Sequence, residues 1–282
     1  MGISSRSFSK KPAREESALT ATLRRIDIRF PWLKIAGVVI LGLIVIVDLF
    51  GLTISRIGDP GDKISIAPMA RHVKITERVL EGKKLVALTF DDGPSAETTP
   101  VLLNTLRERD VPATFFMLGN MARNNPDIVK RVKEEGHEVA SHTMYHQNLI
   151  RIPASAVAAD IDEAKGVLKS ILGKEISLTR TPYGNVNDAV RGFVGTPIIL
   201  WSVDTLDWKI KNTDSIVGIT MSEVSDGAII LMHDIHPTSV EAVPRLVDTL
   251  RDAGYEFVTV SEMAEMRGVK LANGVSYYSL QP

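Results

Sequence analysis

Two adjacent carboxylates, Asp91 and Asp92, are the most informative residues of this chain of 282 residues. They end the apolar run 85–88, and Gly93-Pro94 follows them and turns the chain. A strand that ends in a charged pair predicts that both acids lie at the edge of a sheet, where barrel enzymes place their chemistry. The alternative is that Asp-Gly-Pro is only turn chemistry, with no role for the acids beyond the turn.

Two histidines, His142 and His146, supply a second chemical signal because they stand four residues apart. Side chains at this spacing share one face of a helix and can bind one metal ion. One acid of the pair would complete a His₂Asp site, and the other acid would remain free beside the metal ion. Such an arrangement can activate water, so the pattern indicates a hydrolase. A lone histidine is more often structural, and we interpret His137 in that way.

Three further polar clusters follow strand-like runs, at 180–184, 204–208 and 231–234. The first contains an arginine, which can fix a carboxylate by a bidentate pair, and a turn whose N–H groups could bind an oxyanion. The other two contain aspartates and a histidine, and a histidine near an aspartate is protonated more readily, which suits a general acid. The alternatives are a surface arginine at an ordinary turn and, for Trp208 and Leu231, plain core packing.

Short apolar runs alternate with helical runs from Lys84 onwards. Strands are predicted at 85–90, 113–117, 138–140, 177–180, 197–203, 228–232 and 257–260, and helices at 99–107, 126–135, 154–172, 187–193, 214–224 and 239–253. This alternation predicts a parallel sheet covered by helices, and about seven parallel strands fit an irregular (β/α) barrel with fewer than eight units. The five polar clusters then all follow the carboxyl ends of strands, on one face of the barrel.

The five clusters, in their order and spacing, resemble the polysaccharide deacetylases (the nodulation-protein-B homology domain, carbohydrate esterase family 4) over about Lys84–Met266. The resemblance implies an irregular barrel that removes acetyl groups from a polysaccharide and binds a divalent metal ion, usually Zn²⁺, with Co²⁺ or another divalent ion as alternatives. It implies Asp91 as the catalytic base. It also implies Asp92, His142 and His146 as the metal ligands.

The resemblance implies further roles at the other clusters. Arg180 would hold the base, and the backbone N–H of Tyr183 would help to form the oxyanion hole. His233 would be the catalytic acid, tuned by Asp207. The two residues implied to line the pocket for the acetyl methyl group are Trp208 and Leu231.

This sequence departs from the family pattern at two positions. Gln147 stands where a proline usually follows the second histidine, and Thr181 stands where a second proline is common. Neither position supplies ligand chemistry, so the departures bear on loop geometry rather than on catalysis.

Charge and hydropathy separate the first part of the chain from the rest. Residues 1–34 carry eight Lys or Arg and three acids, whereas the remainder is net acidic, which gives no support to nucleic-acid binding. Residues 35–54 (Ile35–Ile54) are almost wholly apolar, and a helix of that length spans a bilayer core of roughly 30 Å. The basic flank predicts a cytoplasmic N terminus and an outward domain. A cleaved signal peptide and a buried helix are the alternatives.

These patterns together predict a single-pass membrane protein with an extracytoplasmic enzyme domain. The expected parts are a cytoplasmic basic leader (1–34), a transmembrane anchor (35–54), a stalk (55–83), a deacetylase domain (84–268) and a C-terminal hairpin with its turn at Asn273-Gly274 (269–282). The expected substrate is an extracellular amino-sugar polymer, first of all peptidoglycan N-acetylglucosamine. The alternatives are a chitin-like polymer, an acetyl ester, and a catalytically silent carbohydrate-binding surface protein on the same fold.

Overall fold

A computed structural model describes residues 82–282, in which parallel strands alternate with helices. The strands are β1 (Lys84–Asp91), β2 (Thr114–Met117), β3 (Glu138–Ser141), β4 (Ile198–Ile199), β5 (Val203–Asp204), β6 (Ala228–His233), β7 (Tyr255–Phe257) and β8 (Ser276–Tyr277). The α-helices are α1 (Thr99–Glu108), α2 (Gly119–Asn124), α3 (Pro126–Glu134), α4 (Ala154–Leu172), α5 (Asp188–Val194), α6 (Asp207–Ile210), α7 (Thr213–Glu223), α8 (Pro237–Asp252) and α9 (Val260–Met266).

The strands form a parallel sheet that isolated bridges extend beyond β3. Five strands pair in the order β3-β2-β1-β6-β5, and β7 pairs with the first residues of β1. All of these pairings are parallel. Isolated parallel bridges at Thr179 join β3 to β4, and β5, which follows β4 in the chain, pairs with β6. The predicted α/β class with a parallel sheet is therefore confirmed.

The alternation of side chains along β1 determines the face of the sheet on which Asp91 lies. Val86 and Leu88 pack in the cluster that includes apolar residues of α1 and α8, whereas Leu85 and Ala87 belong to a second cluster with residues from the other strands. Successive side chains of a strand point to opposite faces. Asp91 therefore lies on the same side as Leu85 and Ala87, and it is only 3% exposed. The strand thus delivers this carboxylate to a buried position on the face of the sheet that carries the second cluster.

Most predicted strands and helices are present, but two predicted strands are much shorter in the structure. The run 177–180 contributes only the bridges at Thr179, and the run 197–203 is divided into β4 and β5. The run 257–260 ends as a strand at Phe257, because Thr259 begins α9 with a capping box whose other member is Glu262.

The predicted C-terminal hairpin is wrong, although its turn is present. Gly274 has a positive φ of 73°, and the N–H of Val275 donates to the carbonyl of Ala272. The strand that follows, β8, pairs in parallel with β4 rather than folding back on residues 269–271. The open edge of β4 offers hydrogen-bonding groups to the tail.

No helix within residues 82–282 is long and apolar enough to cross a membrane. The predicted leader (1–34), the anchor (35–54) and nearly all of the stalk (55–83) lie outside the described residues.

Candidate active site

The five polar clusters meet where the parallel strands end. Asp91 in β1 lies opposite Phe116 in β2 and opposite His233 in β6. The loop after β3 carries His142, and Thr179, which bridges to Ser141 of β3, directly precedes Arg180. Because all these strands run in the same direction, their carboxyl ends form one edge, as the sequence predicted.

Arg180 is fully buried and holds Asp91 in one orientation. Its Nη1 donates to Asp91 Oδ1 at 2.8 Å and to Thr89 Oγ1 at 2.8 Å. Nε and Nη2 donate to the carbonyls of Ile199 and Leu200 at 2.9 and 3.0 Å. The expected bidentate pair is therefore wrong: one guanidinium nitrogen contacts the carboxylate, while the others are bound to the backbone. Asp91 Oδ2 remains directed toward the histidines.

The second oxygen of Asp91 is placed to act as a base. Asp91 Oδ2 lies 3.6 Å from His142 Nε2. Burial raises the pKa of Asp91, and the adjacent guanidinium of Arg180 only partly opposes this rise. A buried carboxylate with a raised pKa takes up a proton more readily than an exposed aspartate does, and the ion pair with Arg180 fixes where that proton arrives.

Asp92, His142 and His146 form a compact set of potential ligands. Their ligand atoms all lie within 4.8 Å of one another. Asp92 Oδ1 is 3.5 Å from His142 Nε2 and 3.4 Å from His146 Nε2. This carboxylate oxygen is buried and has no hydrogen-bond partner among the described residues. A buried oxygen without a partner beside two imidazole nitrogens fits a divalent cation, since an oxygen and two nitrogens are ligands that Zn²⁺ accepts.

The protonation state of His142 also fits metal binding. Its Nδ1 lies 2.9 Å from the carbonyl oxygen of Arg180, and a carbonyl can only accept, so Nδ1 carries the proton. The lone pair is then on Nε2, which faces Asp92. Burial lowers the pKa of His142 to about 3, so the ring is neutral at physiological pH. A neutral imidazole whose other nitrogen donates to a carbonyl is the usual form of a metal-binding histidine.

The two histidines do not lie on a helix, and that interpretation of their spacing is wrong. They belong to the loop that follows β3, in which Thr143 has a φ of 71° and His146 a φ of 56°. Left-handed residues cannot continue a right-handed helix, so this segment is an irregular loop. The loop places the two rings at a centroid distance of 5.0 Å.

His233 and Asp207 form a second buried pair. His233 Nδ1 lies 2.8 Å from Asp207 Oδ1, and the backbone N–H of His233 donates to Asp207 Oδ2 at 2.8 Å. Burial lowers the pKa of His233, but the hydrogen bond and charge of Asp207 outweigh it and raise the pKa to about 9. His233 therefore carries a proton at neutral pH, and its Nε2 is the nitrogen that can give it up.

Asp207→Asn should move the alkaline limb of the pH–activity profile to lower pH. Activity that needs protonated His233 falls as the pH rises through the pKa of that group. Without the Asp207 charge, burial dominates and the pKa drops from about 9 toward its ordinary value of 6.5. Initial rates across pH, with both proteins loaded with the same metal ion, measure the shift. Asp204→Asn is the matched control, because Asp204 lies at the end of β5 and accepts from the N–H of Leu206. An unmoved limb in Asp207→Asn would show that the pair is not coupled.

Tyr183 lies beside the ligand set. Its ring contacts the ring of His146 edge-on, with centroids 4.6 Å apart. Its backbone is left-handed, with a φ of 60°, within the one-turn segment Pro182–Gly184. The turn after Arg180 therefore reaches the same site as the two histidines, as the sequence predicted.

A cavity of about 360 Å³ opens next to the ligand set. Its lining residues are Asp92, Ser95, Leu118, Met121, His146 and Ile235. Trp208 and Leu231 do not line this cavity, within the part of the chain that the structure describes. Leu231 is buried in β6, whereas Trp208 lies in α6 and is 48% exposed.

Asp234 is a site neighbour to which the sequence pattern gave no role. Its Oδ2 accepts from Thr99 Oγ1 at 2.6 Å, and Thr99 Oγ1 in turn accepts from the N–H of Ser95 at 2.8 Å. Burial raises the pKa of Asp234 to about 7. A Cβ at Gly93 would stand only 2.2 Å from the same carboxylate, which explains the glycine directly after the paired acids. The one signal for Asp234 in the sequence is its position next to His233.

Comparisons with known proteins agree with this geometry. A family model described as polysaccharide deacetylase matches residues 79–194. The peptidoglycan-N-acetylglucosamine deacetylase PgdA of Listeria monocytogenes serotype 1/2a (strain 10403S) is 40% identical over 225 residues, covering 79% of this chain and 47% of that protein. The peptidoglycan-N-acetylmuramic acid deacetylase PdaC of Bacillus subtilis (strain 168) is 38% identical over 191 residues, covering 68% and 41%.

A solved structure described as T48 deacetylase with substrate superposes with a TM-score of 0.67 at 40% identity, covering 69% of this chain and 96% of that one. The chain spans about half the length of the two curated relatives. Sequence and fold agree, and the chain belongs to the polysaccharide deacetylase family. The resemblance noted in the motifs is thereby confirmed.

Proposed function

We propose that this protein removes N-acetyl groups from peptidoglycan in a metal-dependent hydrolysis, with N-acetylglucosamine as the preferred residue. One arrangement carries the proposal. A carboxylate fixed by Arg180 stands next to the three potential metal ligands, and the protonated His233 lies on the neighbouring strand. The proposed base, metal site and acid thus lie at one edge of the sheet, and hydrolysis of an amide can use all three. The names of both curated relatives, PgdA and PdaC, place their action on peptidoglycan sugars.

The metal ligands in this proposal are Asp92, His142 and His146. A divalent ion held there, for which we favour Zn²⁺, would supply a Lewis acid that polarises the acetamide and makes water easier to deprotonate. Of the ligand side chains, His142 is already neutral and oriented by the Arg180 carbonyl. Little reorganisation of this residue is needed before an ion binds.

Asp91 is the proposed base and acts through Oδ2, because Oδ1 is engaged by Arg180. It removes a proton from the water that attacks the acetamide carbon, so that the new C–O bond forms as the O–H bond breaks. The backbone N–H of Tyr183 is proposed to stabilise the negative charge that develops on the acetamide oxygen. The contact between the rings of Tyr183 and His146 supports a position of this N–H beside the metal ligands.

His233 is the proposed acid and acts through Nε2, because Nδ1 is held by Asp207. As the C–N bond breaks, Nε2 protonates the departing sugar nitrogen, which leaves as an amine while acetate is released. Amide nitrogen is a poor leaving group unless it is protonated. The raised pKa of His233, about 9, keeps the required proton available at neutral pH.

The proposed pocket for the acetyl methyl group is formed by Trp208 and Leu231, while the cavity beside Asp92 receives part of the sugar chain. That cavity has an apolar wall of Leu118, Met121 and Ile235, against which the apolar face of a sugar ring can pack. The half-exposed indole of Trp208 lies in the helix that begins with Asp207.

The arrangement of the strands also bears on how the site is built. We infer that the parallel strands close into an irregular barrel with about seven strands. It is supported by the succession of parallel pairings from β1 through β2 and β3 to the bridge at Thr179, and back through β5 and β6. A barrel explains why side chains from five separate segments point toward one opening.

Mass spectrometry of peptidoglycan fragments tests the substrate assignment. Purified peptidoglycan treated with the full chain and then digested should yield fragments lighter by one acetyl group, with the loss located on glucosamine. Asp91→Asn provides the inactive control. Acetyl loss from muramic acid alone would overturn the choice of sugar. An untouched peptidoglycan alongside rapid hydrolysis of acetylated xylan would overturn the amide assignment and favour an esterase.

We also propose that residues 35–54 anchor the protein in the membrane with the N terminus in the cytoplasm. The support is the length of the apolar run and its basic flank. Protease added to intact cells should digest the part from residue 84 onwards and leave an epitope on residues 1–34 protected. A soluble protein released from the cells would instead indicate that the segment is a cleaved signal peptide.

A further inference from the structure

We propose that Asp160, on the buried side of α4, is a positioning residue that fixes the loop bearing His142 and His146 and thereby sets the metal affinity. The proposal rests on the metal site assigned above and adds a residue from outside the five clusters. Asp160 is 5% exposed. Its Oδ1 accepts from the backbone N–H of Met144, midway between the two histidines, at 2.6 Å.

The loop needs such support because its backbone is strained. Thr143 and His146 both have positive φ values, 71° and 56°, and neither is a glycine. A residue in a sparsely populated backbone region is destabilising and persists only when its surroundings enforce it. Met144 lies between these two residues, so a hydrogen bond to its N–H acts within the strained part of the loop.

The opposite side of the loop is held by the start of α2. The N–H of Gly119 donates to the carbonyl of Thr143 at 2.9 Å, and the N–H of Asn120 donates to the carbonyl of Met144 at 3.3 Å. The loop therefore donates to Asp160 on one side and accepts from α2 on the other. Two elements distant in sequence determine its path.

Close packing joins these elements. The Met144 side chain is fully buried. A Cβ at Gly119 would lie 2.4 Å from Met144 Sδ and 2.9 Å from the Cα of Ala164, which is one turn of α4 beyond Asp160. The loop, α2 and α4 thus leave no room for a displaced Met144, and Asp160 supplies the charged contact in this assembly.

The two ligands depend on Asp160 to different degrees. His142 has supports of its own: its N–H donates to the Met117 carbonyl at 2.8 Å, and its ring donates to the Arg180 carbonyl at 2.9 Å. His146 lies two residues beyond Met144 and has ring contacts with His142 and Tyr183 in place of such hydrogen bonds. Loss of Asp160 should therefore displace His146 more than His142. Metal binding should weaken, and the geometry around the ion should change.

Cobalt binding by the full chain separates this role from a merely structural one. Asp160→Ala should raise the Co²⁺ dissociation constant by about 10–100-fold, the range for losing an outer residue that orients a metal ligand, and should alter the visible Co²⁺ spectrum. Asp160→Asn keeps the shape and one acceptor oxygen, so it should fold and show a smaller shift in the same direction. Asp162→Asn removes the same charge from the exposed face of α4 and should bind Co²⁺ as the wild type does.

The outcomes distinguish this proposal from the function on which it rests. Asp160 variants that melt at a lower temperature but bind Co²⁺ with unchanged affinity and spectrum would show a structural role alone and overturn the proposal. If the Asp160 variants bind Co²⁺ as the wild type does, and the wild type deacetylates peptidoglycan, the proposed function stands and the positioning role of Asp160 does not. A wild type that binds no Co²⁺ would overturn the metal site, and the positioning role with it.

Discussion

Asp91→Asn should lower kcat by about 10²–10⁴-fold, the usual contribution of a general base, while the protein still binds its metal ion. Asp92→Asn should instead lose most of its metal affinity. The two acids are neighbours in sequence but differ in surroundings: Arg180 holds one oxygen of Asp91, whereas Asp92 Oδ1 faces both histidine rings. Metal content after dialysis and kcat at saturating metal, measured for both variants, test the difference. Each variant serves as the control for the other.

The stability of the Asp91 variant needs a separate measurement. Asparagine at this position leaves the Arg180 guanidinium buried without its counter-charge, and breaking a buried ion pair costs about 3–5 kcal/mol. Thermal melting of the variant should therefore shift downward, and kinetics should be recorded well below the new midpoint. Equal metal content in both variants, together with retained turnover, would contradict the assigned roles.

His142→Ala should weaken Zn²⁺ binding by more than about 100-fold, because losing an outer contact alone costs about 10–100-fold. The ring is 2% exposed, neutral, and oriented with its lone pair toward Asp92. Alanine removes that nitrogen without adding a group that can replace it. Isothermal titration with Zn²⁺ measures the loss, and activity at a fixed free Zn²⁺ concentration should fall with it.

His236→Ala is the matched control for this experiment. The ring of His236 lies 6.0 Å from that of His233, so it shares the neighbourhood without belonging to the ligand set. Its loss should leave Zn²⁺ affinity unchanged. Wild-type Zn²⁺ affinity in His142→Ala, or equal weakening in both variants, would contradict the ligand assignment.

The sequence predicts most of the site because strand ends are easy to recognise. An apolar run followed directly by charged residues marks Asp91 at the end of β1, Asp92 directly after it, and His233 at the end of β6. In a parallel sheet such ends share one edge, so placement follows from the strand pattern without further information. The structure brings together Asp91, the three potential metal ligands and the pair of His233 and Asp207 in this way.

The sequence does not predict contacts that depend on how distant segments pack. The loop from His142 to His146 imitates helical spacing, and only its positive φ angles show that it is not a helix. Asp160 lies in a long amphipathic helix where an acid usually faces solvent. The single contact of Arg180 with Asp91 depends on the carbonyls of Ile199 and Leu200, which no motif reveals. These features arise from tertiary structure.

The central claim is metal-dependent hydrolysis of an acetamide, with Asp91 as the base. The most direct test measures the ratio of acetate to amine released before metal removal, after it, and after reloading. Acetate and new primary amines should be released from peptidoglycan in equal amounts by the wild-type full chain. Release should stop after treatment with a chelator and return on addition of Zn²⁺ or Co²⁺. The Asp91→Asn protein should release both products at least about 100-fold more slowly after the same reloading. Acetate without matching amine, or undiminished release from metal-free protein, would contradict the proposed reaction.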